Sequence, residues 1–345
     1  MKKLRIAIPH GDINATGYEL IFKTFGVEEM LEMCTPIIYG TPKVAAYHRN
    51  ALDVQAVFSI ISTPAEAREG RLNLLNTIDD DLKIDFGQLT PDASRAAKVA
   101  LDKALDDLKA GQVDALVLAP SCPIGNETPE QYIARQLQVT DAPLTILLGQ
   151  HLKIAVANEG KTLSEIASQK HDETVQVAVR QLHTALQRAF RVSDPRIALL
   201  DTGTGVSLPT TNTEESLQGI KLYGPFAAHE FFAQDDLTPF DGILSLSPEQ
   251  ALLAFNCLER EGGVRYVAGL PYVVCAPQVN NRYEGAGKNQ ADEAAFRQAV
   301  YLAIDTYFNR VNFEAPLQHP LPKLYHERRD ESEKVRFSIP KKKEE

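Results

Sequence analysis

The chain reads as an α/β protein built on central mixed sheets, and three observations predict this. Short apolar runs rich in β-branched residues recur at Leu4–Ile8, Cys34–Tyr39, Val113–Ala119 and Arg196–Leu200, as buried strands do. Helical periodicity separates them, as in Ala97, Leu101, Leu105 and Leu108. The strands end in Pro, Gly or Asp, which break a ladder and open a loop. That alternation is the pattern of a doubly wound sheet.

The first unit sets the frame. Leu4–Ile8 is a strand that Pro9 stops, because proline has no N–H for the ladder. His10-Gly11-Asp12-Ile13-Asn14 is a polar loop, and a helix starts near Gly17 with Leu20, Ile21 and Phe25 on one face. Loops leaving the carboxyl ends of parallel strands are where such sheets hold ligands. His10, Asp12 and Asn14 are therefore site candidates. The plainer alternative has Asp12 and Asn14 capping backbone amides in a turn.

Further elements follow in order. Cys34–Tyr39 leads through Gly40-Thr41-Pro42 into a helix holding His48, read as a packed or surface residue. Residues 52–86 carry no clear motif. Thr90-Pro91-Asp92 starts a helix with a cap, a proline in the first turn and an acid, and Gly111 ends it. Thr128-Pro129-Glu130-Gln131 starts another with a capping box. Leu144–Leu148 and Ile154–Ala157 read as paired strands. Val175 to Phe190 is a long amphipathic helix. Strands follow at Gly242–Leu246, Val264–Ala268 and Tyr272–Cys275, then a helix from Asp292 to Asn309. Gly287-Lys288-Asn289 precedes that helix and is a weak anion-binding candidate, since helix N-termini attract anions. The surrounding loop is not a P-loop: Arg282 stands where the glycine would be.

Composition narrows the function. The chain has 345 residues and a net charge of −10. Such a charge argues against a nucleic-acid or anionic-membrane surface. Cys34, Cys122, Cys257 and Cys275 form no CxxC pair, which suits reduced thiols in the cytoplasm. The apolar start breaks at Pro9, too early for a signal peptide, and no stretch has the length of a membrane span.

Several segments resemble one family, the NAD-dependent 4-hydroxythreonine-4-phosphate dehydrogenases of vitamin B6 biosynthesis (PdxA). They are His10 to Glu19, Tyr39 to Arg49, Phe240 to Leu244, and Gly263-Val264 through Gly269-Leu270-Pro271. The resemblance runs from Leu4 to about Pro322. It implies a two-subdomain αβα fold similar to isocitrate and isopropylmalate dehydrogenases. It also implies a homodimer with shared active sites, a small phosphorylated ligand, NAD and a divalent metal held by three histidines. The expected division is 1–122 plus 262–322, then 123–261 at the dimer interface, then a charged, disordered tail at 323–345.

The same resemblance exposes departures. Gly160, Thr204 and Pro248 stand at the three metal-histidine positions. Glycine and proline offer no side-chain donor, and threonine a poor one. Val274 replaces a phosphate-binding arginine and Val279 a histidine of the dinucleotide stretch. A Gly-His-Thr-Glu substrate segment has no counterpart between Pro123 and Leu137. His229 stands where the family has an acid, and Arg265 where it has an asparagine. The residual cleft is expected to hold His10, Asp12, Asn14, Thr204, His229, Glu249 and Arg265. The expected function is a family member without the family reaction. The alternatives are a dehydrogenase of altered, metal-independent chemistry, with Lys161, Arg265 or Arg282 replacing the metal, and a heteromeric or regulatory partner of an active relative.

Overall fold

The computed structural model describes residues 3–78, 81–168, 171–201, 217–260, 262–279 and 283–318. Twelve strands form one sheet: β1 (Leu4–Pro9), β2 (Cys34–Gly40), β3 (Phe58–Ile61), β4 (Leu72–Asn76), β5 (Ala115–Val117), β6 (Leu144–Leu148), β7 (Lys153–Val156), β8 (Arg196–Leu200), β9 (Lys221–Phe226), β10 (Gly242–Ser245), β11 (Gly263–Ala268) and β12 (Val273–Gln278). Their order is β3-β4-β2-β1-β5-β12-β11-β6-β7-β10-β8-β9. The sheet is mixed, as the expected fold class has it. β11 runs antiparallel to both β12 and β6, and β6 runs antiparallel to β7. The other neighbours are parallel.

The helices are α1 (Gly17–Phe25), α2 (Glu28–Met33), α3 (Pro42–Ala51), α4 (Pro91–Lys109), α5 (Pro129–Gln136), α6 (Leu163–Ser168), α7 (His171–Arg188), α8 (Ala228–Phe231), α9 (Pro248–Leu258) and α10 (Ala294–Gln318). The caps read from sequence are present. Thr90 accepts from the Ala93 amide, and Thr128 and Gln131 form a reciprocal capping box. Two faces of apolar residues bury the sheet. Tyr266 and Cys275 pack among α1, α7 and α10, whereas Val267, Val274 and Leu116 pack beneath α4 and α5. Strand alternation puts consecutive residues on opposite faces. Residues 52–86, silent in the sequence, hold β3 and β4. β3 is short and partly exposed, so its apolar pattern is weak. The last helix begins at Ala294 rather than Asp292 and continues to Gln318 past Pro316. Residues 323–345 lie outside the described residues.

One clasp holds the β6–β7 hairpin. The buried carboxylate of Glu259, just past α9, accepts from the amides of Gln150, His151 and Leu152 at 2.9, 2.7 and 2.9 Å. Gly149 makes room for it: a Cβ there would lie 2.2 Å from the Glu259 carboxyl carbon. Glu259→Ala leaves three amides without their acceptor. Thermal or urea unfolding should show a loss of about 3 kcal/mol, and Glu259→Gln, which keeps one acceptor oxygen, should lose less.

Candidate functional site

A cleft of about 410 Å³ opens beside the carboxyl ends of β1, β5 and β12, on the sheet face covered by α4 and α5. Gly11, Ser121, Thr128, Glu130, Glu159, Asn256, Arg265 and Gln278 supply its polar or backbone lining, with Leu101, Leu118 and Leu252 as apolar wall.

Arg265 dominates the cleft. It projects from β11, and its side chain is 15% exposed. Nε donates to Glu130 Oε1 at 3.1 Å, Nη2 to Glu159 Oε1 at 2.5 Å, and Nη1 to Gln278 Oε1 at 3.2 Å. Glu130 lies in the first turn of α5, and Glu159 lies in the loop after β7. Thr145 on β6 donates to the other oxygen of Glu159 at 2.6 Å, and Gln131 donates to the Glu159 carbonyl at 2.9 Å. Burial alone would disfavour the charge on Arg265. The two carboxylates outweigh it and hold the guanidinium firmly protonated. The cluster of one cation and two anions carries a net charge of −1.

The first loop braces the fold. Asp12 accepts from the Asn14 amide at 2.9 Å and from the Tyr283 hydroxyl at 2.7 Å. Asn14 donates to the Gln88 carbonyl and to Thr90 Oγ1, and accepts from the Asp85 amide. Both are fully buried. This is the turn-capping arrangement that short Asp and Asn side chains favour. It pins residues 85–90, and with them the cap of α4, against the loop. His10 is also fully buried and stacks on Tyr18 with ring centroids 5.5 Å apart. Neither of its ring nitrogens meets a hydrogen-bond partner. Of this loop, Gly11 lines the cleft.

The other candidates scatter. His229 is 84% exposed on α8, 3.9 Å from Glu230. It borders a separate shallow groove with Asp201, Gln250, Leu253 and Cys257. That groove shares no lining residue with the cleft. Glu249 is exposed in the first turn of α9. Thr204 and Arg282 lie outside the described residues. Gly287 lies in a turn against Phe86, and Lys288 is exposed. Asn289 donates to the Leu52 carbonyl at 3.0 Å. All three precede the first residue of α10 by five or more positions, so the helix terminus does not point its amides at them.

Two of the positions that the resemblance matches to metal ligands, Gly160 and Pro248, have backbone roles in the structure. Gly160 has φ of +81°, a backbone conformation in which a side chain is strained. Pro248 is buried at the start of α9, where its fixed φ suits the helix. Among the described residues, no three His, Cys, Asp or Glu side chains are grouped to hold a metal ion. Val274 is fully buried in the core between β11 and β5. Among the described residues, Gly160 and Pro248 therefore offer no side-chain donor for a metal, and Val274 none for a phosphate. Glu130, Glu159 and Gln278 were not singled out from sequence. Arg265 is legible in the sequence, but its partners come from α5, β12 and the loop after β7, which only the folded sheet and its helix bring together.

A mixed α/β sheet with a polar cleft beside the ends of parallel strands defines a class of small-molecule-binding proteins. Residues 32–201 and 208–303 match the family described as pyridoxal phosphate biosynthetic protein PdxA, and the chain belongs to that family. It is 40% identical to the 4-hydroxythreonine-4-phosphate dehydrogenase of Bacteroides thetaiotaomicron, over 97% of each chain. Identity to the enzyme of that name from Prosthecochloris aestuarii is 26%, over 87% of this chain and 96% of the relative. The crystal structure of the Klebsiella pneumoniae protein of that name superposes with a TM-score of 0.72 at 19% identity, covering 89% of this chain and 98% of that one. For the Burkholderia phymatum protein the TM-score is 0.67 at 21% identity, over 89% and 99%. No helix among the described residues is long and apolar enough to cross a membrane.

Two measurements test this arrangement. Arg265→Ala strands the buried carboxylate of Glu130 and the half-buried one of Glu159, so unfolding should show a loss of about 3 kcal/mol, and the Arg265→Ala/Glu130→Gln/Glu159→Gln triple variant should recover part of it. Burial holds His10 and His48 near pKa 4, against about 6.5 when unfolded. Both are neutral in the fold, so their contribution is complete above about pH 6.5 and is lost as pH falls toward about 4, by about 2 kcal/mol each at about pH 5. His10→Gln should remove about half of that loss in denaturant titrations compared between neutral pH and about pH 5.

Proposed function

We propose that this chain is a non-catalytic member of the PdxA family, a homodimer that binds a small ligand in its cleft without metal-dependent oxidation. The observation that carries this reading is the buried Arg265–Glu130–Glu159 cluster in the cleft. A guanidinium already held by two carboxylates adds little positive potential for a developing oxyanion. The supporting facts are Gly160, with its positive φ, and Pro248, at the start of a helix. A metal in the family polarises the substrate oxygen; these residues supply no donor for one. Lys161, another of the candidates for its replacement, is exposed and donates to Asn158 at 3.3 Å.

What the chain's own residues can do is narrower. Glu130, Gln278 and Thr128 present hydrogen-bonding groups to the cleft, and its apolar wall excludes water from one side of a ligand. The net negative cluster disfavours a phosphate near Arg265.

A second reading is favoured by one observation. Identity of 40% along 97% of the chain supports the reaction of the Bacteroides thetaiotaomicron relative. Calorimetric titration with NAD, with Mg²⁺, Mn²⁺ and Zn²⁺, and with 4-hydroxythreonine 4-phosphate separates the two. The expected outcome is no metal-dependent heat and no NADH above the rate without protein. Metal-dependent NADH formation would establish the second reading and end the first.

A further inference from the structure

The opposite face of the sheet carries a second polar cavity, unrelated to the cleft. Arg265 and Tyr266 are consecutive on β11, so one points into the cleft and the other away from it. Beside Tyr266 lies an open cavity of about 480 Å³ between α7, α10 and the Gly269-Leu270-Pro271 turn. Three guanidinium groups border it: Arg180 and Arg188 on α7, and Arg310 on α10. Arg180, Thr184 and Arg188 are spaced by four, which aligns them along one helix face. No Asp or Glu belongs to the described lining.

Arg310 is a built element of this cavity. It is nine-tenths buried. Nη1 donates to the carbonyls of Leu270 and Pro271 at 3.3 and 3.4 Å, and the guanidinium lies 5.6 Å from the Tyr266 ring centroid. Its Nε is buried without a hydrogen-bond partner. Glu314, 41% exposed, pairs with Arg188 from α10. Arg188 feels Arg310 directly. Burial, then the nearby Arg310 charge, lowers its pKa from the ordinary guanidinium value. Concentrating three guanidinium groups with no acid in the described lining is costly in a chain of net charge −10, which has acids to spare.

We propose that this cavity is an anion site that binds a phosphate group. Arg180 and Arg188 would engage the oxyanion from α7, and Arg310 would present its charge from the floor. Guanidinium forks match phosphate oxygens in pairs, and the volume admits a small phosphate ester as well as free phosphate.

The test is calorimetric titration of the full chain with inorganic phosphate and with glycerol 3-phosphate, against chloride at matched ionic strength. The comparison is with the Arg180→Gln/Arg188→Gln variant, both residues being exposed or half-buried, with circular dichroism to confirm its fold. The expected result is saturable binding to the native chain, weakened at least tenfold in the variant. Tighter binding of glycerol 3-phosphate would identify an ester as the ligand, and equal binding would identify free phosphate. Heats no larger than those of chloride would overturn the proposal, as would equal binding by native chain and variant. A failure here leaves the reading of the cleft untouched, because that reading rests on NAD, metal and Arg265.

Discussion

A charge buried at the middle of a sheet must keep its partners. Arg265 is on β11, one of the two strands between the two sets of parallel strands, and it is tied to α5 through Glu130 and to the β7 loop through Glu159. Removing a single member leaves an uncompensated charge in a poorly solvated place, whereas an apolar replacement of all three could be tolerated. The arrangement therefore locks three residues together. It also sets the chemistry of the cleft, because each nitrogen of the guanidinium already donates to a protein oxygen. A cation that is spoken for stabilises the protein and adds little to a bound anion.

The strands and helices were largely legible, because their signals are local. Thr90-Pro91 and Thr128-Pro129 cap the helices they were read to cap, and the apolar runs at β1, β2, β5 and β8 form buried parallel strands. The strands near residues 58–76 were not legible: β3 lies at the sheet edge and shows little apolar contrast. The site was harder for a different reason. Asp12 and Asn14 have the composition of a ligand loop, yet their hydrogen bonds run to Tyr283, Gln88, Thr90 and Asp85. A short carboxylate or amide serves either purpose, and the choice depends on what the fold brings near. Glu130, Glu159 and Arg265 are distant in the chain, and they meet only where α5 and the loop after β7 pack against β11.

The family resemblance had a mixed yield for the same reason. Segments that fold alike remain recognisable whatever stands at the site positions, since fold and function draw on different residues. Tyr39 to Arg49 keeps a strand and a capped helix, and Gly263 to Pro271 keeps a central strand and its turn. Gly160 and Pro248 sit within equally ordered structure, but as a left-handed turn residue and a helix start.

The sheet order also bears on how the chain is made. β5 and β6 emerge early in synthesis, and their central neighbours, β12 and β11, come from the last third. Leu148 pairs with Val264, and Leu116 with Val274. Until those strands arrive, a ribosome-bound chain has two open apolar edges facing each other across a gap. Such edges are templates for strand pairing with other chains, and distant pairings close slowly. This architecture keeps both edges exposed until residues 263–278 have been made, which is when a waiting chaperone would have the most to cover.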